Sequence, residues 1–380
     1  MGRSVFRGSP LVHRVVLAVV ACGSPACSSG SSFEAFDAGD GGARTIGQAA
    51  TPQGSGSPPL SDGGGALTLA SGQASPEAIA VDSTNVYWTN LGSLSGGTER
   101  TGGAVMKVPI GGGTPTTLAG VLAPANLAVD ATDVYFATYG LNGTDCTVAR
   151  VPTTGGNPVI LASGIAGGSG FVALDSTSVY WSHDACDASG TSCNGAVMRT
   201  PKGGGVSTTM ASGQIRPQGI AVDGTSVYWV NFGVNGNDGT VMKMPIGGGT
   251  PQTLASGQAA PSVIQVDSTS VYWTTFTVDG AIMRLPLGGG TTTTIASQQA
   301  VPTGIALDGT NAYWSAGGSR ACPSACAALG RAPLAGGSGV TLLSGQPGPF
   351  AIALDETNIY WVDVGQIDGR IGTVMQMAKP

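Results

Sequence analysis

Short apolar segments alternate with glycine-, serine- and threonine-rich turns along most of the chain after residue 62. In the stretch 217–258, an apolar run at 220–222 ends at Asp223, and a second run of β-branched and aromatic residues follows at 227–230. Runs of this length separated by a short polar turn predict the two strands of a hairpin. Two further short runs flank the glycine triplet at 247–249 and predict a second hairpin. The stretch therefore predicts four strands, which we call a, b, c and d in chain order.

The repeated unit is anchored by the motif D-x-T-x-(V/A/I)-Y-(W/F), which occurs seven times, 41 to 48 residues apart. Its aspartates are Asp82, Asp130, Asp175, Asp223, Asp267, Asp308 and Asp355. A period of this length with four strands per repeat is typical of a β-propeller, in which each blade buries its faces against its neighbours. The sequence therefore predicts an all-β fold, a seven-bladed β-propeller with four-stranded blades, over residues 63–380.

The two ends of the repeat region complement each other. The last repeat ends after its strand c, at 372–379, and has no strand d. Residues 63–73, GGGALTLASGQ, match the strand d and following turn at 247–258, yet they precede the first strand a. We expect this N-terminal segment to supply the outer strand of the last blade, which would close the ring and remove its open edges.

The first 62 residues have a different composition from the repeats. Residues 1–21 contain three arginines followed by a short apolar run, which predicts a secretory signal peptide. The signal ends in Val-Val-Ala before Cys22, which resembles the lipobox of bacterial lipoproteins and implies lipidation of that cysteine; the alternative is ordinary cleavage with Cys22 a bystander. Residues 22–62 are rich in Gly, Ser and Pro and predict a disordered tether. We therefore expect an exported protein, lipid-anchored at the bacterial cell envelope, or alternatively secreted.

Charge excludes one class of partner. The net charge is −6, and loss of the predicted signal, with Arg3, Arg7 and Arg14, would make the mature chain more acidic. Binding to nucleic acid needs a basic face, so we expect no nucleic-acid partner. The membrane is expected to be reached only through the lipid anchor, and the ring to be a monomer.

The propeller region contains five cysteines, all between strands b and c. An oxidising compartment favours disulfides, and the short spacings favour the local pairs Cys186 with Cys193 and Cys322 with Cys326. Cys146 would then be left over, unless it bridges to the neighbouring blade. A zinc site is not expected, because no histidine lies at ligand spacing from these cysteines.

Several polar positions recur in every blade and are therefore expected to be structural. An aspartate at the end of strand a can accept hydrogen bonds from its own turn, so the anchor aspartates are predicted to lock the a–b hairpins. Strand c carries a basic residue in six repeats, for which the alternatives are partners within the blades or a cationic ring for an anionic ligand. These residues are Lys107, Arg150, Arg199, Lys243, Arg284 and Arg331.

Positions that differ from blade to blade are where specificity can reside. Variable residues lie five or four positions before each anchor aspartate, at the beginning of strand a, and these strands converge on one mouth of the central channel. The candidate ligand-binding residues are Glu77, Asn126, Phe171, Gln218, Ser262, Thr303 and Phe350. The b–c loops vary as well, and the sequence leaves open whether they share a face with this mouth.

With these residues laid out, the repeat resembles the YWTD propellers of lipoprotein receptors and their bacterial relatives, and more distantly NHL repeats. The resemblance rests on the P-x-x-I-A-V-D strand at 76–82 and 217–223, the Tyr-Trp pair and the basic residue of strand c. It implies a propeller and, by loose analogy, ligand binding. The receptor domains have six blades where seven are counted here, and only Asp363 keeps the acid of the YWTD motif.

The sequence thus predicts an envelope-tethered, non-catalytic β-propeller that acts as a binding or scaffold module for protein or glycan. The alternative is an exported propeller enzyme of the lactonase or lyase type, with an axial metal or acid–base site. His183 is the only histidine after the predicted signal, and the glycine triplets lack the Lys and Ser/Thr of a phosphate-binding loop. No catalytic residue, metal or cofactor is therefore assigned.

Overall fold

The computed structural model describes residues 65–380 except 96–98, 140–144, 166, 168, 186–192, 318–326 and 366–370. The regular secondary structure in these residues consists of thirty β-strands. No helix of the described residues is long and apolar enough to cross a membrane. The predicted signal, the tether and Cys22 lie outside the described residues.

Twenty-eight of the strands form seven antiparallel sheets of four strands each, as predicted. The first three blades are β2 (Pro76–Val81), β3 (Asn85–Asn90), β6 (Ala104–Pro109) and β7 (Thr116–Gly120); β8 (Pro124–Val129), β9 (Asp133–Thr138), β10 (Cys146–Pro152) and β11 (Val159–Ile165); and β12 (Ser169–Leu174), β13 (Ser178–His183), β14 (Gly195–Pro201) and β15 (Thr208–Gln214). Blades four and five are β16 (Pro217–Val222), β17 (Ser226–Asn231), β18 (Gly239–Pro245) and β19 (Gln252–Gln258); and β20 (Pro261–Val266), β21 (Ser270–Thr275), β22 (Gly280–Pro286) and β23 (Thr293–Gln299). Blades six and seven are β24 (Pro302–Leu307), β25 (Asn311–Ala316), β26 (Ala328–Pro333) and β27 (Val340–Ser344); and β28 (Pro349–Leu354), β29 (Asn358–Asp363), β30 (Ile371–Ala378) and β1 (Leu67–Ala74). The remaining two strands, β4 (Ser93–Ser95) and β5 (Glu99–Thr101), form a hairpin in the b–c loop of blade one.

The blades close into a ring around their innermost strands. Each strand a contacts the strand a of the blades on either side, so that β2 of blade one touches β8 of blade two and β28 of blade seven. The ring therefore has seven blades, one more than the YWTD receptor domains that the repeat resembles.

The N-terminal strand completes the last blade, which confirms the prediction made from the chain ends. β1 pairs antiparallel with β30, with Leu67 opposite Gln376 and Ala74 opposite Ile371. Leu69 and Ala70 of β1 are buried in the apolar core between blades seven and one. The ring is thus closed by pairing between the two ends of the propeller region, and strand c of blade seven is not left as an unpaired edge strand.

The Tyr and Trp of strand b point to opposite faces of each blade and fill the core between neighbouring blades. In blade one, Trp88 packs towards blade seven beside Tyr360, whereas Tyr87 packs towards blade two beside Phe136. Five of the six tryptophans in the repeats are less than 2% exposed, as is Phe136, and Trp181 is 3% exposed. The aromatic residues of the motif are therefore inter-blade core.

Glutamines at the ends of three d strands bind the indole of the next blade. Gln73 Oε1 accepts hydrogen bonds from Trp88 Nε1 and Asn90 Nδ2, both at 2.9 Å. Gln214 Oε1 accepts from Trp229 Nε1 and Asn231 Nδ2, and Gln299 Oε1 accepts from Trp314 Nε1. Because Gln73 lies in β1, these hydrogen bonds join the N-terminal strand to blade one, while its pairing with β30 joins it to blade seven.

Candidate functional site

The strand register decides which loops share a face with the channel mouth. Pro76 at the beginning of strand a lies opposite Asn90 at the end of strand b, and Pro217 lies opposite Asn231 in the same way. The b–c loops therefore leave the ring at the end where the inner strands begin. We call this end the loop face and the opposite end, which carries the a–b and c–d turns, the turn face.

The seven candidate binding residues all lie at the loop-face end of an inner strand, in its second or third position. They are Glu77, Asn126, Phe171, Gln218, Ser262, Thr303 and Phe350. The variable positions of the inner strands and the variable b–c loops are thus on one face of the ring, a relation that the sequence left open.

Asn126 and Thr303 carry hydrogen bonds to the backbone of the neighbouring inner strand. Asn126 Oδ1 accepts from the backbone N–H of Val172 at 3.1 Å, which joins blade two to blade three. The hydroxyl of Thr303 is buried and donates to the carbonyl of Pro349 at 3.2 Å, which joins blade six to blade seven. Both side chains therefore have structural partners at the mouth.

Two others contribute apolar contacts. Phe171 packs against the core between blades three and four, and Phe350 packs against the core between blades seven and one. Both rings remain partly exposed. Gln218 and Ser262 are half-buried, and neither side chain makes a hydrogen bond within the described part of the chain.

Glu77 links the mouth to a loop. Tyr139, in the b–c loop of blade two, donates its hydroxyl to Glu77 Oε1 at 2.8 Å. Tyr139 is 40% exposed, so part of the residue lies at the surface of the loop face. Glu77, at the channel mouth in blade one, and Tyr139, in the b–c loop of blade two, are therefore adjacent on the loop face.

A second variable position on the loop face was missed by the sequence reasoning. It lies nine residues after each anchor aspartate, directly after strand b, and was available as a constant offset in the repeat. Its occupants are Leu91, Tyr139, Asp184, Phe232, Phe276, Gly317 and Val364. Most of them are apolar or aromatic, although they stand at the beginning of solvent-facing loops.

This second position is held in place by a strained residue before strand a. The carbonyl of Ser75 accepts from Leu91 N–H at 3.0 Å, and the carbonyl of Arg216 accepts from Phe232 N–H at 2.9 Å. Ser75 and Arg216 have φ of 55° and 54°, in the left-handed region that non-glycine residues rarely adopt. The equivalent residues of three other blades, Ala123, Ala260 and Val301, also have positive φ.

Blades three to five form the most distinctive part of the loop face. The Arg216 guanidinium lies 4.7 Å from the centroid of the Phe232 ring, and the Phe232 and Phe276 ring centroids are 6.4 Å apart. Arg216 Nε lies 3.6 Å from Asp184 Oδ2. Burial raises the pKa of Asp184 above its ordinary value, although the charge of Arg216 acts in the opposite direction. A cation stacked on an aromatic pair is a recognition element found in protein interfaces.

The anchor aspartates occupy the turn face and have the predicted structural role. In each blade, Oδ1 of the aspartate accepts from two backbone N–H groups of its own turn, as Asp82 does from Thr84 and Asn85 at 2.7 Å. In six blades the tyrosine hydroxyl donates to Oδ2, as Tyr87 does at 2.7 Å. This second bond was not foreseen from the sequence.

These hydrogen bonds shift both partners' pKa values. Burial tends to raise the pKa of Asp175 and Asp223, but the hydrogen bonds from the tyrosine, threonine and backbone outweigh it and lower both pKa values. Burial, together with the hydrogen bond to the aspartate, raises the pKa of Tyr180 and of Tyr228 to about 12. The carboxylate and phenol thus act as a fixed pair in each blade.

The basic residues of strand c also have partners, which favours the structural alternative over a free cationic ring. Lys107 Nζ donates to the carbonyl of Thr153 at 2.7 Å, and Arg284 Nη1 donates to the carbonyl of Leu334 at 2.9 Å. Both contacts join one blade to the next. Arg150 instead forms an ion pair within its blade, with Asp133 at 2.8 Å.

The described cysteines lie on the loop face. Cys146 is buried, and its thiol donates to the carbonyl of Tyr139 at 2.9 Å. Cys193 lies just before β14, whereas Cys186, Cys322 and Cys326 are outside the described residues, so the two disulfides remain predictions. His183 lies at the end of β13, with its ring 5.8 Å from that of Trp181. Within the described ranges, no group of three or more His, Cys, Asp or Glu side chains is placed to hold a metal ion.

No family model and no curated protein matches this chain. Among solved structures it is similar to an oligogalacturonate lyase in complex with manganese, with 12% identity and a TM-score of 0.59 over 86% of this chain and 96% of that one. It is similar to the computationally designed Ika8 protein, with 14% identity and a TM-score of 0.51 over 80% and 98% of the two chains. A nidogen/laminin complex matches with 17% identity and a TM-score of 0.48 over 62% and 87%. At these identities the similarities show the fold alone, and that fold is a β-propeller.

Proposed function

We propose that this protein is a non-catalytic binding or scaffold module that is tethered to the bacterial cell envelope and holds a protein or glycan on its loop face. One observation carries the proposal: the two variable positions of every blade and the variable b–c loops meet on one face. The recurrent polar residues, in contrast, bond to their own turns or to the next blade. Residues that differ from blade to blade on one face of a rigid ring can form a single specific binding surface, whereas a residue repeated in every blade cannot.

The proposed location follows from the N-terminal sequence. Lipidation at Cys22 and the tether at 22–62 would hold the ring at the envelope as a monomer, with Cys186–Cys193 and Cys322–Cys326 oxidised. Globomycin should block processing, and Cys22→Ser should release the protein from the membrane fraction. Unchanged fractionation of Cys22→Ser would contradict the lipid anchor and leave secretion as the alternative.

Binding at the loop face is tested with the full-length protein immobilised and exposed to envelope extract and to a glycan array. Gln218→Ala with Ser262→Ala removes two half-buried polar side chains that have no structural hydrogen bond in the described residues, so the fold should be kept and capture reduced. Glu356→Ala, on an exposed a–b turn of the turn face, is the matched control and should leave capture unchanged. Equal loss in both variants would contradict a loop-face site. Turnover of a lactone or an oligouronide would instead favour the exported-enzyme alternative.

A further inference from the structure

The loop face of blades four and five carries a phenylalanine directly after strand b in each blade, with exposed apolar residues in neighbouring segments. We define the aromatic patch as Ile215, Arg216, Phe232, Phe276 and Val278. Ile215 is 45% exposed and Val278 is 59% exposed, and the two phenylalanine rings are partly exposed. In blades one and six the residues equivalent to these phenylalanines are Leu91, which is buried, and Gly317. Clustered exposed apolar side chains of this kind mark interaction sites on soluble proteins.

The backbone of the patch is fixed before any ligand arrives. The N–H groups of Phe232 and Phe276 are both hydrogen-bonded, at 2.9 Å, to the left-handed residues that precede the inner strands of their own blades. The loop that follows Phe232 is closed by Asp238, whose Oδ1 accepts from the N–H groups of Val234 and Asn235 at 3.0 Å. A preordered surface loses little conformational entropy on binding, so its contacts contribute more fully to affinity.

Arg216 has hydrogen-bond donors that could bind a ligand. Its Nε lies near Asp184 and its guanidinium plane covers Phe232, but its terminal nitrogens donate no hydrogen bond within the described residues. Arginine is enriched among the energetic hot spots of protein interfaces, and phenylalanine is enriched at their buried centres. The terminal nitrogens are suited to the backbone carbonyl of a bound chain.

The charges around the patch indicate the sign of the partner. Asp184, Asp238 and Asp279 lie in the loops that carry or flank it, against the single cation of Arg216. Asp238 and Asp279 are exposed. Complementary charges favour the correct partner and speed association, so basic residues are expected to flank the apolar group that occupies the patch.

We propose that the aromatic patch binds a protein segment with an apolar or aromatic side chain flanked by lysine or arginine. This rests on the binding function proposed above and assigns it a partner class and a location. The apolar side chain contacts Phe232 and Phe276, a backbone carbonyl accepts from Arg216, and the basic residues face Asp238 and Asp279.

Two labelled synthetic peptides test the proposal by fluorescence anisotropy with the full-length protein. Both have a central Leu-Phe-Leu segment, flanked by lysines in one and by glutamates in the other. The lysine peptide should bind at least tenfold more tightly, and its affinity should fall as salt is raised. Phe232→Ser with Phe276→Ser should weaken it at least tenfold, and Asp238→Asn with Asp279→Asn severalfold. Val206→Ser, 87% exposed on a c–d connection of the turn face, is the matched control and should bind as the wild type.

Some results would contradict the assigned partner and still be compatible with binding at the loop face. Equal affinity for both peptides, or no effect of the phenylalanine double variant, would overturn the assigned partner. Capture of neutral or uronate oligosaccharides that is lost in the phenylalanine double variant would also overturn it, but would support binding at the loop face. Failure of every peptide, glycan and envelope component to bind through the loop face would count against both proposals.

Discussion

The glutamine that joins β1 to blade one gives a direct test of how the ring is closed. Gln73→Ala removes the acceptor of two buried donors, Trp88 Nε1 and Asn90 Nδ2. Trp88 is fully buried and Asn90 is 6% exposed, so water does not readily replace the lost acceptor. Each buried donor left without a partner costs about 1–3 kcal/mol, and we therefore expect the free energy of unfolding to fall by roughly 2–6 kcal/mol.

The repeats provide matched controls for this variant. Gln214→Ala leaves Trp229 Nε1 unpaired, but Asn231 Nδ2 keeps its hydrogen bond to Thr240 Oγ1 at 3.1 Å, and the strand of Gln214 is covalently continuous with the rest of its blade. Gln299→Ala leaves only the donor of Trp314 unpaired, so about half the loss is expected. Gln73→Ala should therefore destabilise the protein most, and Gln214→Ala and Gln299→Ala less.

Differential scanning calorimetry measures the difference. For a domain of this size, 1 kcal/mol corresponds to about 2 °C in Tm, so Gln73→Ala should lower Tm by roughly 4–12 °C. A wild-type Tm for Gln73→Ala together with a lower Tm for Gln214→Ala would show that β1 does not hold blade one in solution. Equal losses for all three variants would show that the number of unpaired donors does not set the cost.

Three further predictions concern the blades. A Cβ at Gly330 would collide with the Trp314 ring, so Gly330→Ala should lower the free energy of unfolding by about 1–3 kcal/mol in urea titration; a neutral result would contradict this packing. Arg284→Met breaks the hydrogen bonds of Arg284 to the carbonyl of Leu334 in the next blade and to the hydroxyl of Ser270 in its own blade, and should cost about 2 kcal/mol. Lys243, within the described residues, contacts only the Tyr228 ring, so Lys243→Met should cost less; the reverse order would contradict the structural role of these cations. The anchor aspartates have lowered pKa values and their tyrosines raised ones, so stability should fall below about pH 4, where the unfolded aspartates take up protons first, and above about pH 10, where the unfolded tyrosines lose them first. Circular dichroism melts should find little change between these limits, and a steady slope from pH 5 to 9 would contradict the assignment.

Much of the architecture could be predicted because the repeat motif occurs seven times in the sequence. The anchor motif gives the blade count, and the match between 63–73 and 247–258 gives the ring closure. The shared face of mouth and loops could also have been predicted, since antiparallel pairing alone places the end of strand b beside the beginning of strand a.

The aromatic patch was harder to predict from sequence. Phe232 and Phe276 lie nine residues after their anchor aspartates, and this constant offset can be read from the sequence. The stacking of Arg216 on Phe232, however, depends on a left-handed backbone at Arg216, which its residue type disfavours. Tertiary hydrogen bonding overrides that local preference, so the contact follows only from the closed ring.

The direction of β1 has a practical consequence for handling the protein. Leu67 lies opposite Gln376 at the turn face, and there the carbonyl of Pro380 accepts a hydrogen bond from Arg331. The polypeptide thus joins and leaves the ring on the side remote from the variable loops. An affinity tag or sensor-chip linkage at residue 380 would project away from those loops and leave them open to solution.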